Sequence, residues 1–300
     1  MRYTQHSLTV NGMAHDARHQ LDHTHADESG LAELLDLDAV IFHSYIDDVI
    51  GWVERSAERP PRRIVDLGAG TGVGSLALAR RYPASEVTAI DASAFMLDRL
   101  RAAAQEQGLA GRLRGVRADL DVAWPDVGAL DLAWAASSMH HFADPDRVLG
   151  DLHAALNRGG VVVITEMDSL PRFLPEDVGV GRPGLESRCH EAMVRAGRNA
   201  HPDWRPHLER AGFVGVERRD FALEIAAPAG GERYARTILS RVRDGLADRL
   251  TADDLSSLER LLADDSPDAL LRGTLRFRST RTAWAATRRP GQPDHEGASL

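Results

Sequence analysis

Residues 65–74 read Val-Asp-Leu-Gly-Ala-Gly-Thr-Gly-Val-Gly, with glycine at 68, 70, 72 and 74 directly behind the run Ile64-Val65-Asp66-Leu67. A turn of this kind, leading from a strand into a helix, exposes backbone N–H groups and lets a ligand come close, because glycine has no Cβ. Two phosphate-binding readings fail on spacing. The dinucleotide fingerprint G-x-G-x-x-G needs glycine at 73 or, in the next register, at 75, where the chain has Val73 and Ser75. A nicotinamide dehydrogenase is therefore contradicted. A P-loop must end in G-K-[ST], and the chain contains no lysine. The same absence removes Schiff-base chemistry.

Around this turn, from Ile64 to Ile164, short apolar runs alternate with helical patterns: Val87 to Ile90, Arg112 to Ala118, Asp131 to Ala136 and Val161 to Thr165 read as strands, with helical stretches between them. Such alternation predicts parallel strands joined by crossover helices, hence a doubly wound α/β sheet. Ligands of open α/β sheets bind along the rim at the carboxyl ends of the strands, so the residues after each strand carry the chemistry. Residues 1–58 are expected to form a helical N-terminal cover, because Leu34, Leu35, Ala39, Val40, Phe42, Tyr45, Ile46, Val49, Ile50 and Val53 recur at helical spacing. Residues 59–170 form the core and 171–211 a cap, helical in two pieces separated near His201-Pro202. Residues 212–288 supply two edge strands, Phe213 to Ala226 and Leu275 to Thr287, with helices between them, and 289–300 a disordered tail.

Composition narrows the partners. A net charge of -9 argues against a primary hold on nucleic acid. No apolar run reaches the roughly 18 residues of a membrane span, and no signal-peptide core follows Met1, so a cytoplasmic protein is expected. The single cysteine, Cys189, reads as a small buried hydrophobe.

The run Asp66-Leu67-Gly68-Ala69-Gly70-Thr71-Gly72 resembles the first motif of the class I S-adenosylmethionine-dependent methyltransferases, an acidic residue followed by G-x-G-x-G. The resemblance extends downstream. Asp91 follows Val87-Thr88-Ala89-Ile90, where the family places an acid for both ribose hydroxyls; Asp119 follows Val116-Arg117-Ala118, where the family's acid takes the adenine amino group. Ser137-Ser138-Met139-His140-His141-Phe142 looks like the segment after strand four, and Leu156-Asn157-Arg158-Gly159-Gly160 like the turn before strand five. It implies a mostly parallel seven-stranded Rossmann-like sheet with an antiparallel last strand, beneath the helical cover and cap insertions. It also implies S-adenosylmethionine as cofactor, S-adenosylhomocysteine as product, and a site formed by Asp66, Gly68, Ala69, Gly70, Gly72, Asp91, Ala92, Met96, Asp119, Leu120 and Ser137. A homodimer through the helical N-terminus follows some relatives.

The sulfonium already carries an activated methyl group, so the protein must hold a nucleophile in line and, where needed, remove a proton. No metal is required. His140, His141 and Glu166 are the candidate bases. Histidine suits a phenol, amine or acidic carbon because it titrates near neutrality. His141 is preferred over His140, since neighbours at a strand end point to opposite sides. Glu166 could orient His141, act as base or stabilise a developing cation; alternatively it binds Arg172 or Arg182 of the cap. The chain lacks the [DN]-P-P-[YF] loop of the amide methyltransferases, which leaves a small-molecule acceptor, with O- or C-methylation expected. An arginine-only composition is associated with bacterial secondary metabolism through the resemblance alone. The competing class is a methyltransferase-like protein that binds the cofactor without turnover.

His15, His19 and His23 share one helical face, a spacing that can present metal ligands, though a solvated or mobile segment suits so polar a run better; a lid folded over the cofactor is the third reading. His190, His201, His207 and Trp204 are read as surface-helix residues of the cap, with pocket lining the alternative; Phe173 and Phe221 are read as core or pocket wall.

Overall fold

The computed structural model describes residues 28–55, 59–197, 201–226, 228–263 and 275–289. The histidine run at 15–25 and all but the first residue of the expected tail lie outside them. Helix α1 spans 28–41 and α2 spans His43–Glu54. The core then alternates β1 (Arg63–Leu67), α3 (Val73–Arg81), β2 (Glu86–Asp91), α4 (Ala94–Glu106), β3 (Leu113–Arg117), β4 (Leu130–Ala136), α5 (Pro145–Ala155) and β5 (Leu156–Met167). After these come α6 (Leu185–Arg195), α7 (Trp204–Arg210), β6 (Phe213–Ala226), α8 (Gly231–Gly245), α9 (Ala252–Leu262) and β7 (Arg276–Arg288).

The seven strands form one sheet in the order β3-β2-β1-β4-β5-β7-β6. Strands β1 to β5 are parallel, and β7 runs antiparallel to both neighbours, pairing Ile164 with Trp284 and Phe221 with Arg281. This is the expected α/β sheet with its antiparallel last strand. Alternation along the strands feeds two cores. Ile64, Leu132, Trp134, Val161, Val163, Ala283 and Ala285 face α2, α3 and α4, whereas Val65, Leu67, Ala133, Ala135, Val162, Ile164 and Trp284 face α5 and α7. Burial on both faces explains why these strands read as continuous apolar runs.

A third cluster joins Ile41 and Phe42 to Phe173, Leu185, Tyr234, Leu239, Leu258 and Phe277, so α6, α8 and α9 pack with the N-terminal helices beyond the end of the sheet. Cys189 is buried there, and burial pushes its thiol up to about 12, which keeps it inert. Thr251 caps α9 by accepting from the N–H of Asp254 at 3.2 Å.

Two local expectations are corrected. The turn at Leu156 to Gly160 lies within β5 rather than before it: Leu156 pairs with Leu130 and Val161 with Leu132, so residues 157–160 leave the ladder at the register shift, with Gly159 at φ 78°. Trp204 is not a surface residue. It is fully buried beneath β5, because α7 packs onto α5 and the sheet.

Candidate functional site

The sheet order reverses between β1 and β4: β1 is followed by its neighbour β2 on one side and flanked by β4 on the other. Loops leaving these two strands part in opposite directions, which opens a crevice at their carboxyl ends. There lies a cavity of about 470 Å³, lined by the loops after β1, β2, β3 and β4 and roofed by side chains of α1 and α2. Its size is ordinary for a small-molecule site.

The glycine turn and the loop after β4 interlock. Gly68 sits at φ 64°, and a Cβ there would lie 2.6 Å from the Cβ of Ser138. Ser138 in turn donates its hydroxyl to the Leu67 carbonyl at 2.7 Å. Next to it, Ser137 is the single non-glycine residue with positive φ (51°) among the described residues, held there by its N–H to the Thr165 carbonyl at 2.7 Å. Asp91 Oδ2 accepts from the Gly70 N–H and Oδ1 from the Ser93 N–H, both at 2.8 Å, so this carboxylate ties the glycine turn to the end of β2. Each oxygen keeps a lone pair for a further donor, as a ligand diol requires. Asp119 is exposed at the rim, with Oδ1 taking the Asp121 N–H at 2.9 Å.

Asp66, Gly68, Ala69, Gly70, Asp91, Ala92, Met96, Asp119, Leu120, Ser137 and His141 all line the cavity. Gly72, His140 and Glu166 do not. Gly72 serves the turn itself: it caps α3 at φ 87°, where a Cβ would lie 2.5 Å from Leu100. Asp66 is wholly buried, and burial lifts its carboxyl to about 7 against the opposing hydrogen bond from Ser75 Oγ at 2.6 Å.

His140 and His141 lie in a 3-10 turn, Met139–His141, rather than at a strand end, so the two-residue alternation used to separate them does not operate. Their rings nevertheless diverge in partner. His141 reaches the cavity, and its pKa is lowered first by burial, then by His140, with Glu166 opposing. His140 donates from Nδ1 to Glu166 Oε2 at 2.7 Å. Glu166 therefore meets His140, not His141, and the other expected partners go elsewhere: Arg172 to Ser187 and Arg182 toward Asp254.

Several residues of the site were missed in the sequence. Asp38, Phe42, Tyr45, Trp134, Thr165 and Arg281 all line the cavity. The buried Tyr45 hydroxyl, Thr71 Oγ1, Trp134 Nε1 and Arg281 Nε have no well-formed hydrogen bond within the protein. A ligand rich in polar atoms fits such a lining, because unpartnered buried groups are rare in folded proteins. His190, His201 and His207 do not line this cavity; His201 meets Asp168 at 3.3 Å and His207 meets Asp146 at 2.6 Å. Among the described residues, no group of three or more His, Cys, Asp or Glu could hold a metal ion, and no helix is long and apolar enough to cross a membrane.

Residues 64–160 match the model of a methyltransferase domain. A demethylmenaquinone methyltransferase of Thermus thermophilus is 37% identical over 121 residues, covering 40% of this chain and 54% of the relative. A malonyl-[acyl-carrier protein] O-methyltransferase of Laribacter hongkongensis is 34% identical over 156 residues, covering 46% and 50%. The chain thus spans about half the length of the curated relatives it matches. Among solved structures, the YcgJ protein of Bacillus subtilis superposes with a TM-score of 0.50 at 18% identity, covering 80% of this chain and 98% of that one, a likeness of fold alone.

Proposed function

Because this chain belongs, through residues 64–160, to the class I S-adenosylmethionine-dependent methyltransferases, we propose that it transfers the methyl group of S-adenosylmethionine to a small-molecule acceptor, O- or C-directed. One observation carries the reading: the Asp91 carboxylate, with lone pairs to spare, ties down the glycine turn at a cavity whose lining holds unpartnered polar atoms. Asp91 would hold the donor's ribose, and Asp119 and Leu120 its adenine. When bound, the cofactor would supply a methyl group activated on a sulfonium, to be passed to the acceptor's nucleophilic atom as the sulfur retains the electron pair of the broken bond.

His141 receives the proton that the acceptor gives up. Burial supports this role, because a lowered pKa leaves the ring neutral and able to accept near pH 7. Glu166 acts one step back by fixing His140, whose ring centroid stands 4.0 Å from that of His141. The named relatives differ in acceptor, from demethylmenaquinone to the malonyl group of an acyl carrier protein, while sharing this segment. The acceptor is therefore set outside it, by α1, α2 and the chain after β5.

Calorimetric titration with S-adenosylmethionine and S-adenosylhomocysteine tests the donor site. Asp91→Asn loses part of an acceptor set and is expected to weaken both ligands about 10- to 100-fold, corresponding to ~1.5–3 kcal/mol. Folded wild-type protein that binds neither ligand would overturn the proposal.

A further inference from the structure

Part of the cavity wall belongs to no strand-end loop of the core. It is built from α1, α2 and β7, where Leu35, Ala39, Phe42 and Ile46 supply apolar surface and Arg281 a buried charge. The Arg281 guanidinium is fixed on several sides. Its Nη2 donates to Asp38 Oδ1 at 2.7 Å and Oδ2 at 2.8 Å, and its carbon stands 4.8 Å from the ring centre of Phe42 and 5.1 Å from that of Tyr45. Tyr234 donates its hydroxyl to Asp38 Oδ1 at 2.6 Å. Opposite charges thus cancel within the wall. Two polar atoms are left over: the Tyr45 hydroxyl and Arg281 Nε are both buried without a well-formed hydrogen bond.

Resting on the methyl-transfer reading above, we propose that this corner binds the acceptor, and that the acceptor is a neutral, largely apolar molecule held through a carbonyl oxygen. Charge decides the first part. An anionic acceptor brought to Arg281 would stand beside Asp38 as a like charge, and a cationic one beside the guanidinium itself. Donor chemistry decides the second. Arg281 Nε–H can only donate, and Tyr45 stays protonated because burial raises its phenol, with Arg281 and Thr165 opposing only in part. Two buried donors without a well-formed acceptor call for an oxygen with two lone pairs, which a carbonyl provides. The aromatic faces of Phe42 and Tyr45 are already turned to the guanidinium, so the aliphatic residues of α1 and α2 carry the apolar body of the acceptor.

Tyr45→Phe is the informative variant, because it deletes one oxygen that has no well-formed hydrogen bond within the protein, beyond its approach to Thr165, and so leaves the fold intact. The probes are 2-acetylnaphthalene, 2-ethylnaphthalene and 2-naphthoate, titrated by ligand-observed NMR against the full chain with and without S-adenosylhomocysteine. The ketone is expected to bind at least about tenfold more tightly than the hydrocarbon or the carboxylate, and Tyr45→Phe to remove most of that preference while changing S-adenosylhomocysteine affinity by less than about twofold. Equal binding of ketone and hydrocarbon, a preference for the carboxylate, or no binding of any probe overturns the proposal. So does a Tyr45→Phe loss that falls on S-adenosylhomocysteine instead, since Tyr45 would then belong to the donor site. If S-adenosylhomocysteine itself fails to bind, the methyl-transfer reading falls, while the ketone titration without it still judges this corner on its own.

Discussion

His140 Nδ1 lies 2.7 Å from Glu166 Oε2, and Trp204 Nε1 approaches the other oxygen, Oε1, at 3.2 Å. The Glu166 side chain is fully buried, so its two oxygens are each given a donor where water cannot reach. Glu166→Ala strands both donors and is expected to cost ~3 kcal/mol of stability, whereas Glu166→Gln, which keeps the shape and one acceptor, should cost ~1–2 kcal/mol. Urea midpoints for the two variants check this; equal losses would mean that the lost carboxylate acceptor sets the whole cost and that the cavity left by alanine adds nothing.

Activity should fall on the acid side. His141 works as base only when neutral, and its folded pKa lies below the ordinary 6.5 because of burial and His140. The acid limb of kcat/KM is therefore expected below pH 6.5, with rate lost as pH drops through it. His141→Gln should lower the rate ~10²–10⁴-fold and abolish the limb. Glu166→Gln should move the limb further down, since Glu166 is the influence that raises this pKa. A limb unchanged in His141→Gln would place the base elsewhere.

Two glycines with similar backbone angles should respond differently to alanine. Gly72 has φ 87° and would drive a Cβ to 2.5 Å from Leu100, whereas Gly108, at φ 68°, has nothing within 4 Å. Gly72→Ala combines backbone strain with overpacking and should cost ~2–5 kcal/mol. Gly108→Ala carries the strain alone, ~1–2 kcal/mol. Thermal unfolding separates the two; a Gly108 variant as damaged as the Gly72 variant would show that contact with Leu100 adds nothing.

Asp66 makes stability depend on pH in an unusual direction for a carboxylate. Its folded pKa is raised to about 7 from 3.8, so across this window the folded state holds a proton that the unfolded chain has released. Stability should therefore decline as pH rises from about 4 to about 7 and level off above. Glu186, lifted to about 7 by burial against the N–H groups of Phe173 and Leu174, acts in the same sense. Urea unfolding between pH 5 and 8 should show a fall of up to a few kcal/mol (~1.4 kcal/mol per pKa unit), which Asp66→Asn and Glu186→Gln each reduce. A flat profile in wild-type protein would contradict it.

The parts of the fold that were legible in the sequence are those written locally. Apolar runs on both faces announced β1, β4 and β5, and the Gly68-Gly70-Gly72 spacing announced the turn, because each follows from neighbours within a few residues. The acids at 66, 91 and 119 could be placed at the cavity for the same reason: they stand next to strand ends. His140 and His141 were assigned the wrong local geometry, since nothing in Ser138-Met139-His140-His141 distinguishes a 3-10 turn from a strand end. Trp204 read as a surface residue because α7 is short and otherwise polar, and only its packing onto β5 buries it. Asp38 and Arg281 stand 243 positions apart, and no local pattern can pair them.

That pairing rests on β7, which is the last strand among the described residues yet lies inside the sheet between β5 and β6. During synthesis, everything needed for the glycine turn and Asp91 emerges well before residues 276–288. A nascent chain can thus assemble the nucleotide half of the cavity while β5 still has an open edge and the corner around Asp38 lacks its arginine. Completing that corner must await the pairing of β7 with β5 on one side and β6 on the other, a late, non-local step of the kind that slows folding and invites strand-edge aggregation. The interval is one in which a chaperone would have most to protect.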